Sequence, residues 1–407
     1  MLTKNNDNNA SDPRKPVGLR NVMALGLVSF FTDFSTEMVL GLLPMFIVSN
    51  LGASRAALGA LEGSAEVVSY AFRMVSGSLS DKVGKRKIFI LAGYGLSTIS
   101  KPFLAITAIW QEAFLVRMGD RIGKGLRTAP RDALISDSVY ESSSGKAFGL
   151  HRTIDQMGAI AGPIAAFALL QVTDIRGVFL VSLIPGAIAV IILIFFVKEV
   201  TIRRLSDGTK SIFSNIGTVI KGNRSFVILL LITGLFNLGA YNFSFVLLRA
   251  SDLGVQEDFI PIVFAIINVA HTVTGIPSGM LADRIGKEKV LIIGYAVFVI
   301  STLLMAALNG NFIYSYIIGA IFGVYIGISE TVQRAVIPRY ISSELRGTAF
   351  GVYNLVLGTS FFVSNVIFGY LWDSYNLNIA VLYSLIIASF AIIAMAIFIK
   401  KYPIPRP

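Results

Sequence analysis

GSLSDKVGKRK, running from Gly77 to Lys87, sets one acid and four bases into eleven residues of a chain that is otherwise strongly apolar. The stretch recurs as GMLADRIGKEK from Gly279 to Lys289. Gly77, Leu79, Asp81, Gly84, Lys85 and Lys87 each meet an identical residue 202 positions later, at Gly279, Leu281, Asp283, Gly286, Lys287 and Lys289. The same offset carries Leu51 and Gly52 onto Leu253 and Gly254, and Gly145, Ala147, Phe148 and Gly149 onto Gly347, Ala349, Phe350 and Gly351. The chain therefore reads as one unit copied once, both copies pointing the same way.

Composition says where that unit resides. Of 407 residues, 54% are hydrophobic and 14% charged, and the mean hydropathy of +0.72 is that of a membrane protein. Twelve apolar runs reach the roughly 20 residues needed to cross a hydrocarbon core, at 21–50, 55–80, 88–109, 113–138, 147–172, 176–197, 225–248, 257–281, 289–309, 312–336, 347–371 and 376–400. The expected fold is all-α, with twelve transmembrane helices in two parallel six-helix bundles. Residues 1–20 form an N-terminal tail, 21–197 the first bundle, 198–224 a linker, 225–400 the second bundle and 401–407 a C-terminal tail. The polar, Asn-rich start lacks the apolar core and cleavage site of a secretory signal, so the first span is expected to stay as an uncleaved anchor. Without cysteine there is no disulfide, thiolate metal site or cysteine nucleophile, and two histidines, His151 and His271, are too few for a histidine metal cage. No cofactor is expected.

Lysine and arginine set the orientation, because short basic loops stay on the cytoplasmic side. Lys4, Arg14, Lys15 and Arg20 precede the first span, and Lys82, Lys85, Arg86 and Lys87 follow the second. The alternation continues through Lys146 and Arg152, the central linker, Arg284 with Lys287 and Lys289, Arg339 with Arg346, and Lys400 with Lys401. The opposite loops carry only Arg55, Arg176 and Arg249. The chain thus reads as a multi-pass protein of the cell membrane with both termini cytoplasmic. Its formal charge of +11 is spread over alternating loops rather than gathered into a patch for nucleic acid.

Several charges lie too deep for loops. The first four spans hold Asp33, Glu37, Glu62, Glu66, Arg73, Lys101, Arg117, Asp120, Arg121, Lys124 and Arg127, whereas spans seven to eleven offer Glu330 and Arg334. Each costs about 2.5–3.5 kcal/mol at mid-helix on insertion scales, so such groups face inward and pair. Helical spacing agrees. Asp33 and Glu37 are four apart, Glu62, Glu66, Ser69 and Arg73 share one face, and Arg117, Arg121, Lys124, Thr128 and Arg131 form one stripe. A carboxylate in a water-filled cavity whose proton affinity depends on a nearby arginine is a natural proton carrier. Asp33, within the apolar run Phe30–Phe34, is the first candidate, followed by Glu37, Glu62 and Glu66, with Arg121 as partner. Candidate substrate-cavity residues are Arg73, Lys101, Arg117 and Lys124, together with the polar Asn237, Tyr241, Asn242, Asn268 and His271 of spans seven and eight; Phe236, Phe243 and Phe245 supply an apolar wall. The run from Gly119 to Gly125 has the wrong spacing for a phosphate loop and lies inside a span.

These motifs resemble those of the major facilitator superfamily, and of its proton-coupled efflux-type members. GSLSDKVGKRK is similar to that family's G-x-L-a-D-r-x-G-r-k signature between spans two and three, and the Gly279 copy to its second-half version. Arg121–Ala129 resembles the fourth-span pattern R-x-x-q-G-x-g-a-a, departing at Lys124 and Arg127. Gly158 to Pro163 resembles the g-x-x-x-G-P pattern of the family's antiporters, although Ala165 and Ala166 replace the two glycines that follow it. The resemblance implies alternating access, with Asp81 and Lys85 joining Asp132 or Asp137 in a cytoplasmic gate latch. Asp283 and Lys287 are the repeat's counterparts, Arg127 and Arg131 gate or anchor residues, and Gly162-Pro163 a flexing point. The function expected is proton-coupled export of small organic compounds by antiport. The alternative is proton-coupled uptake of an anionic solute, because six bases against five acids in the first-half set leave substrate charge open. A polytopic membrane enzyme would need a nucleophile or metal cluster at one membrane face. Expected partners are a small-molecule substrate, protons and the bilayer, for a protein acting as a monomer.

Overall fold

The computed structural model describes residues 18–140, 143–200, 217–220, 222–341 and 345–402. Most of the expected N-terminal tail, linker and C-terminal tail lies outside these residues. Among the described residues twelve long helical segments follow one another: α1 (Leu19–Asn50), α2 (Arg55–Val83), α3 (Arg86–Ile106), α4 (Trp110–Asp137), α5 (Ser144–Leu170), α6 (Ile175–Phe196), α7 (Arg224–Asp252), α8 (Glu257–Ile285), α9 (Lys287–Ala307), α10 (Ile313–Arg339), α11 (Arg346–Ser374) and α12 (Leu377–Lys401). Ten are long and apolar enough to cross a membrane; α2 and α4 are as long, 29 and 28 residues, but dense in charge.

The repeat is visible in the backbone. Gly84 (φ 70°) closes α2 in a left-handed turn and Gly286 (φ 104°) closes α8; Gly52 (φ 66°) and Gly254 (φ 92°) occupy the matching loops before them. Only glycine adopts such angles without a Cβ penalty. The first helix of each half is also interrupted near the same depth. In α1 the regular helix stops at Leu40, and in α7 it stops at Gly239 and resumes at Phe243. At the second break Asn242 Oδ1 accepts the Ser244 N–H (2.9 Å), while the Asn242 N–H donates to Asn365 Oδ1 (2.8 Å). Backbone groups freed by the break are thereby satisfied, as the membrane interior demands. In α3, Pro102 ends the α-helix at Ser100, and Lys101–Ile106 continues as a 3₁₀ turn.

The halves meet along α2 with α11, α5 with α8, and the ends of α1 and α7. Contact is closest at the end opposite the repeated loops. There a Cβ added at Gly63 would lie 2.6 Å from Phe362 Cα, one at Gly369 would lie 2.7 Å from Ala56 N, and Phe167 rests on Phe259. Toward the loop end the halves part. The side chains of Asp132, Glu330 and Arg334 keep 46%, 46% and 66% of their exposure, and Arg152 of α5 meets Glu330 of α10 only at 4.0 Å. The molecule is sealed at one end and open at the other.

Candidate functional site

Close packing of three helices creates the site. On α4, Gly123 lies where a Cβ would come within 2.6 Å of Gly93 O on α3, and Gly125 where it would come within 2.7 Å of Ser69 O on α2. These two small residues let α4 approach both neighbours, so the stripe of bases between them falls beside the acids of α2.

The resulting network is buried and nearly continuous. Arg117 Nη2 donates to Glu62 Oε2 (2.9 Å) and its Nη1 to Asp120 Oδ2 (3.0 Å). Arg121 Nε donates to the same Asp120 oxygen (3.1 Å), and Arg121 Nη1 lies 3.6 Å from Glu66 Oε1. Ser97 Oγ completes Asp120 with a bond to Oδ1 (2.5 Å). Glu62, Arg117, Asp120 and Arg121 are each under 5% exposed, so the pairs among these four are desolvated, while Glu66 at the edge keeps 29% of its side-chain exposure; removing a single partner from a desolvated pair costs about 3–5 kcal/mol. Lys101, equally buried, donates from Nζ to Thr36 Oγ1 of α1 (3.1 Å).

Asp33 and Glu37 lie half-buried on α1. Glu37 Oε2 is approached by Asn268 Nδ2 of α8 (3.4 Å), which also donates to Ala159 O of α5 (2.8 Å), making Asn268 a polar link across the halves. Asp33, Lys124 and Arg127 form no ion pair among the described residues. Arg127 instead stacks its guanidinium 4.7 Å from the Tyr94 ring centroid, with Nη1 buried and unbonded. Arg73 lies over Tyr70 at 5.4 Å. Arg131 pairs with Asp132 through Nη2 (2.9 Å) and reaches Ser29 Oγ (3.3 Å). Glu330 of the second half is approached by His271 Nε2 of its own half (3.8 Å) and by Arg152 of the first (4.0 Å).

Other candidates serve the fold. Asn237 Nδ2 bonds the Thr233 carbonyl of its own helix (2.8 Å), Asn242 caps the α7 break, and Tyr241 is buried in an aromatic stack with Phe322 and Phe368 while its hydroxyl meets Thr302 Oγ1 (3.1 Å). Gly162 permits α5 to nest on α1, since a Cβ there would lie 2.6 Å from Phe34 O; Pro163 follows it inside a continuous helix.

At the repeated loops, Asp81 pairs with Arg86 (3.5 Å), which also pairs with Asp137. Glu199 receives the backbone N–H groups of Arg86 (3.1 Å) and Lys87 (2.9 Å). Lys85, Asp283 and Lys287 make no ion pair among the described residues; in the second half Glu288 instead binds Arg339 (3.0 Å) and the Tyr340 hydroxyl (2.7 Å). All these contacts stay within one half, as the open loop end requires.

Two residues escaped the sequence reading. Asp155 of α5, only 3% exposed, accepts from Arg152 Nη1 (3.1 Å); an acid three residues after an arginine inside an apolar run was the available signal. Arg55, read only as a loop base, spans the halves at the sealed end. A hollow of about 330 Å³ at that end, lined by Phe46, Asn50, Asp174, Arg176, Glu257 and Asp258 among others, shares no residue with the charge network.

An internally repeated helical bundle with a buried charge network in its first half, sealed at one end, has the architecture of a membrane transporter. The Major Facilitator Superfamily family model matches residues 25–249 and 229–407, and the chain belongs to that superfamily. An uncharacterized MFS-type transporter of Methanocaldococcus jannaschii is 33% identical over 380 residues, covering 91% of this chain and 92% of its relative. The multidrug resistance protein MdtG of Proteus mirabilis is 24% identical over 303 residues, 71% of this chain and 74% of that protein. Among solved structures, the nucleoside transporter NupG in mutant form superposes with a TM-score of 0.78 at 13% identity, covering 94% of this chain and 100% of that one. A POT family transporter in complex with 5-aminolevulinic acid superposes at 0.79 with 15% identity, covering 97% and 98%. At these identities the structures speak to fold alone.

Proposed function

We propose that the protein is a proton-coupled exporter of small organic compounds, working by antiport as a monomer in the cell membrane with both termini cytoplasmic. The observation that carries this reading is the buried network on α2 and α4 with two half-buried acids, Asp33 and Glu37, beside it on α1. A chain that spends this much desolvation on buried charge in one half uses that charge. Asp33 carries the proton: it and Glu37 are the two acids of the set that are half-buried and without an ion pair among the described residues, and Glu37 is approached by the Asn268 amide (3.4 Å), whereas Asp33 sits within the apolar run Phe30–Phe34. Glu62 is committed to Arg117, and Glu66 sits beside Arg121. The similarity to MdtG supports export.

Alternating access follows from the two ends. The sealed end is held by glycine-mediated contact of α2 with α11, and closing the loop end would bring Asp81, Arg86 and Asp137 of one half toward the other. A second reading, uptake of an anionic solute, draws on Lys124 and Arg127, cations that form no ion pair among the described residues. Reconstitution in vesicles with an internal pH dye and a panel of organic cations, neutrals and anions tests both. Protons entering as compound leaves support export; protons and an anion moving together establish the alternative; transport without proton movement removes coupling altogether.

A further inference from the structure

Asn268 of α8 is bonded into the other half. On α1 and α8 successive turns face each other: a Cβ at Gly41 would lie 3.1 Å from Phe264 Cδ1, and one turn further from the sealed end Glu37 Oε2 stands 3.4 Å from Asn268 Nδ2. The same nitrogen donates to Ala159 O of α5 (2.8 Å). Three residues on, Gly162 leaves room for Glu37 against α5, since a Cβ there would lie 3.0 Å from Glu37 Cβ. Two acceptors thus converge on one side-chain amide. Only its NH₂ group, with two donors, satisfies both, so the neighbours fix which way the amide points. At 9% exposed, Asn268 makes these bonds away from bulk water. It is also the repeat counterpart of Glu66, 202 residues earlier on α2. The second half therefore keeps an uncharged polar group where the first places an acid beside Arg121.

The two bonds differ in kind. Ala159 O is a backbone carbonyl of constant charge, whereas Glu37 is a carboxyl whose charge a proton removes, and a bond to a carboxylate is about twice as strong as one to a neutral acceptor. We propose that Asn268 is a positioning residue for transport, through which the second half reads the charge on Glu37: ionised Glu37 draws the amide in and holds the sealed end shut, and protonated Glu37 loosens it. This rests on the alternating-access, proton-coupled reading given above, with Asp33 carrying the proton and Glu37, one turn away on α1, signalling it. The charged groups that act on Glu37 are Arg117, Arg121 and Lys124 of α4 and Asp33 of α1, all of its own half. Against it α5 presents Gly162 and the Ala159 carbonyl, and α8 the Asn268 amide. An uncharged amide follows a carboxylate's charge without the desolvation cost of burying a cation of its own. Because α8 moves with the second half when the sealed end opens, the Asn268 contacts break in each cycle, whereas the Glu62–Arg117 pair stays within one half.

The test is the pH dependence of the sealed end in the full-length protein in lipid nanodiscs. It is read as the distance distribution between spin labels at Gln111→Cys and Gln256→Cys, exposed positions near that end of opposite halves in a chain without cysteine. Lowering the pH should enlarge the longer-distance population of the parent, changing the sealed-to-open ratio about tenfold. Glu37→Gln, which keeps the shape and removes the charge, should hold the low-pH ratio at every pH. Asn268→Leu, which keeps the shape and removes the amide, should be equally insensitive to pH, at the same or a lower ratio. A packing role alone for Asn268 would change the ratio and leave its pH dependence. A parent distribution that ignores pH, or a parental pH response in either variant, overturns the role of Asn268; where Asn268→Leu does not fold, Glu37→Gln decides alone. Vesicle transport separates this from the reading beneath it. Gradient-driven export with a parental pH response in the variants leaves the exporter standing and removes Asn268 from its coupling. The expected pH response without gradient-driven transport upholds Asn268 and removes the export reading.

Discussion

Removing Arg55 should unlatch the sealed end. Its guanidinium lies 3.4 Å from Asp252 at the end of α7 and 3.4 Å from Asp373 at the end of α11, and 4.8 Å from the Trp372 ring centroid. One side chain of the first half thus holds two helices of the second. The groups are partly solvated, with side-chain exposures of 26% for Arg55, 36% for Asp252 and 25% for Asp373, so each ion pair contributes about 0.5 kcal/mol and the cation–π contact about 0.5–1 kcal/mol. Arg55→Ala therefore removes about 1.5–2 kcal/mol from the closed arrangement, and at about 1.4 kcal/mol per tenfold the closed-to-open ratio at that end falls about ten- to thirtyfold. The Ala56 N–H bond to Asp373 Oδ2 (3.1 Å) is backbone and survives, which limits the effect. Because the chain has no cysteine, Gln111→Cys and Gln256→Cys, both exposed near this end of opposite halves, take spin labels with no background. The distance distribution should gain a longer population in Arg55→Ala, and Asp252→Asn with Asp373→Asn should reproduce it. A distribution unchanged from the parent would refute the latch and return the sealing to helix packing alone.

Asp33→Asn should keep substrate exchange at equal concentrations while losing accumulation driven by a pH gradient; if Glu37→Gln, Glu62→Gln or Glu66→Gln loses coupling in its place, the proton site moves to that residue. Gly125→Ala should lower the melting temperature in detergent by an amount equivalent to about 1–3 kcal/mol, since its Cβ would lie 2.6 Å from Phe72 Cβ, whereas Gly95→Ala, with nothing within 4 Å, should be neutral or mildly stabilising. Equal melting of the two variants would mean that α4 does not pack on α2 as described. Asp81→Asn should leave substrate affinity intact and slow turnover, because its pairing with Arg86 lies at the loop end, away from the buried network; lost affinity with normal turnover would place Asp81 in the binding site.

The linear chain settled the fold because its signals are local or periodic. Apolar runs of about 20 residues become helices in a bilayer, since only helices and closed barrels satisfy the backbone there and a barrel strand spans with about half that length, and the identical residues 202 apart announced the duplication that Gly84 and Gly286 display as a positive-φ glycine at each helix end. The stripe on α4 was legible for the same reason: bases three and four residues apart share a helix face whatever surrounds them. Partner choice was not legible. That Arg117 takes Glu62 and Asp120, and that Arg86 rather than Lys85 meets Asp81, depend on how closely two helices approach and at what register. That approach is set by Gly93, Gly123, Gly125, Gly158 and Gly162, whose side-chain absence has meaning only once the facing backbone is known. Nor could sequence separate Asn268, which bridges the halves, from Asn242, which mends a helix break, since the same amide serves either purpose and only its tertiary neighbours decide which.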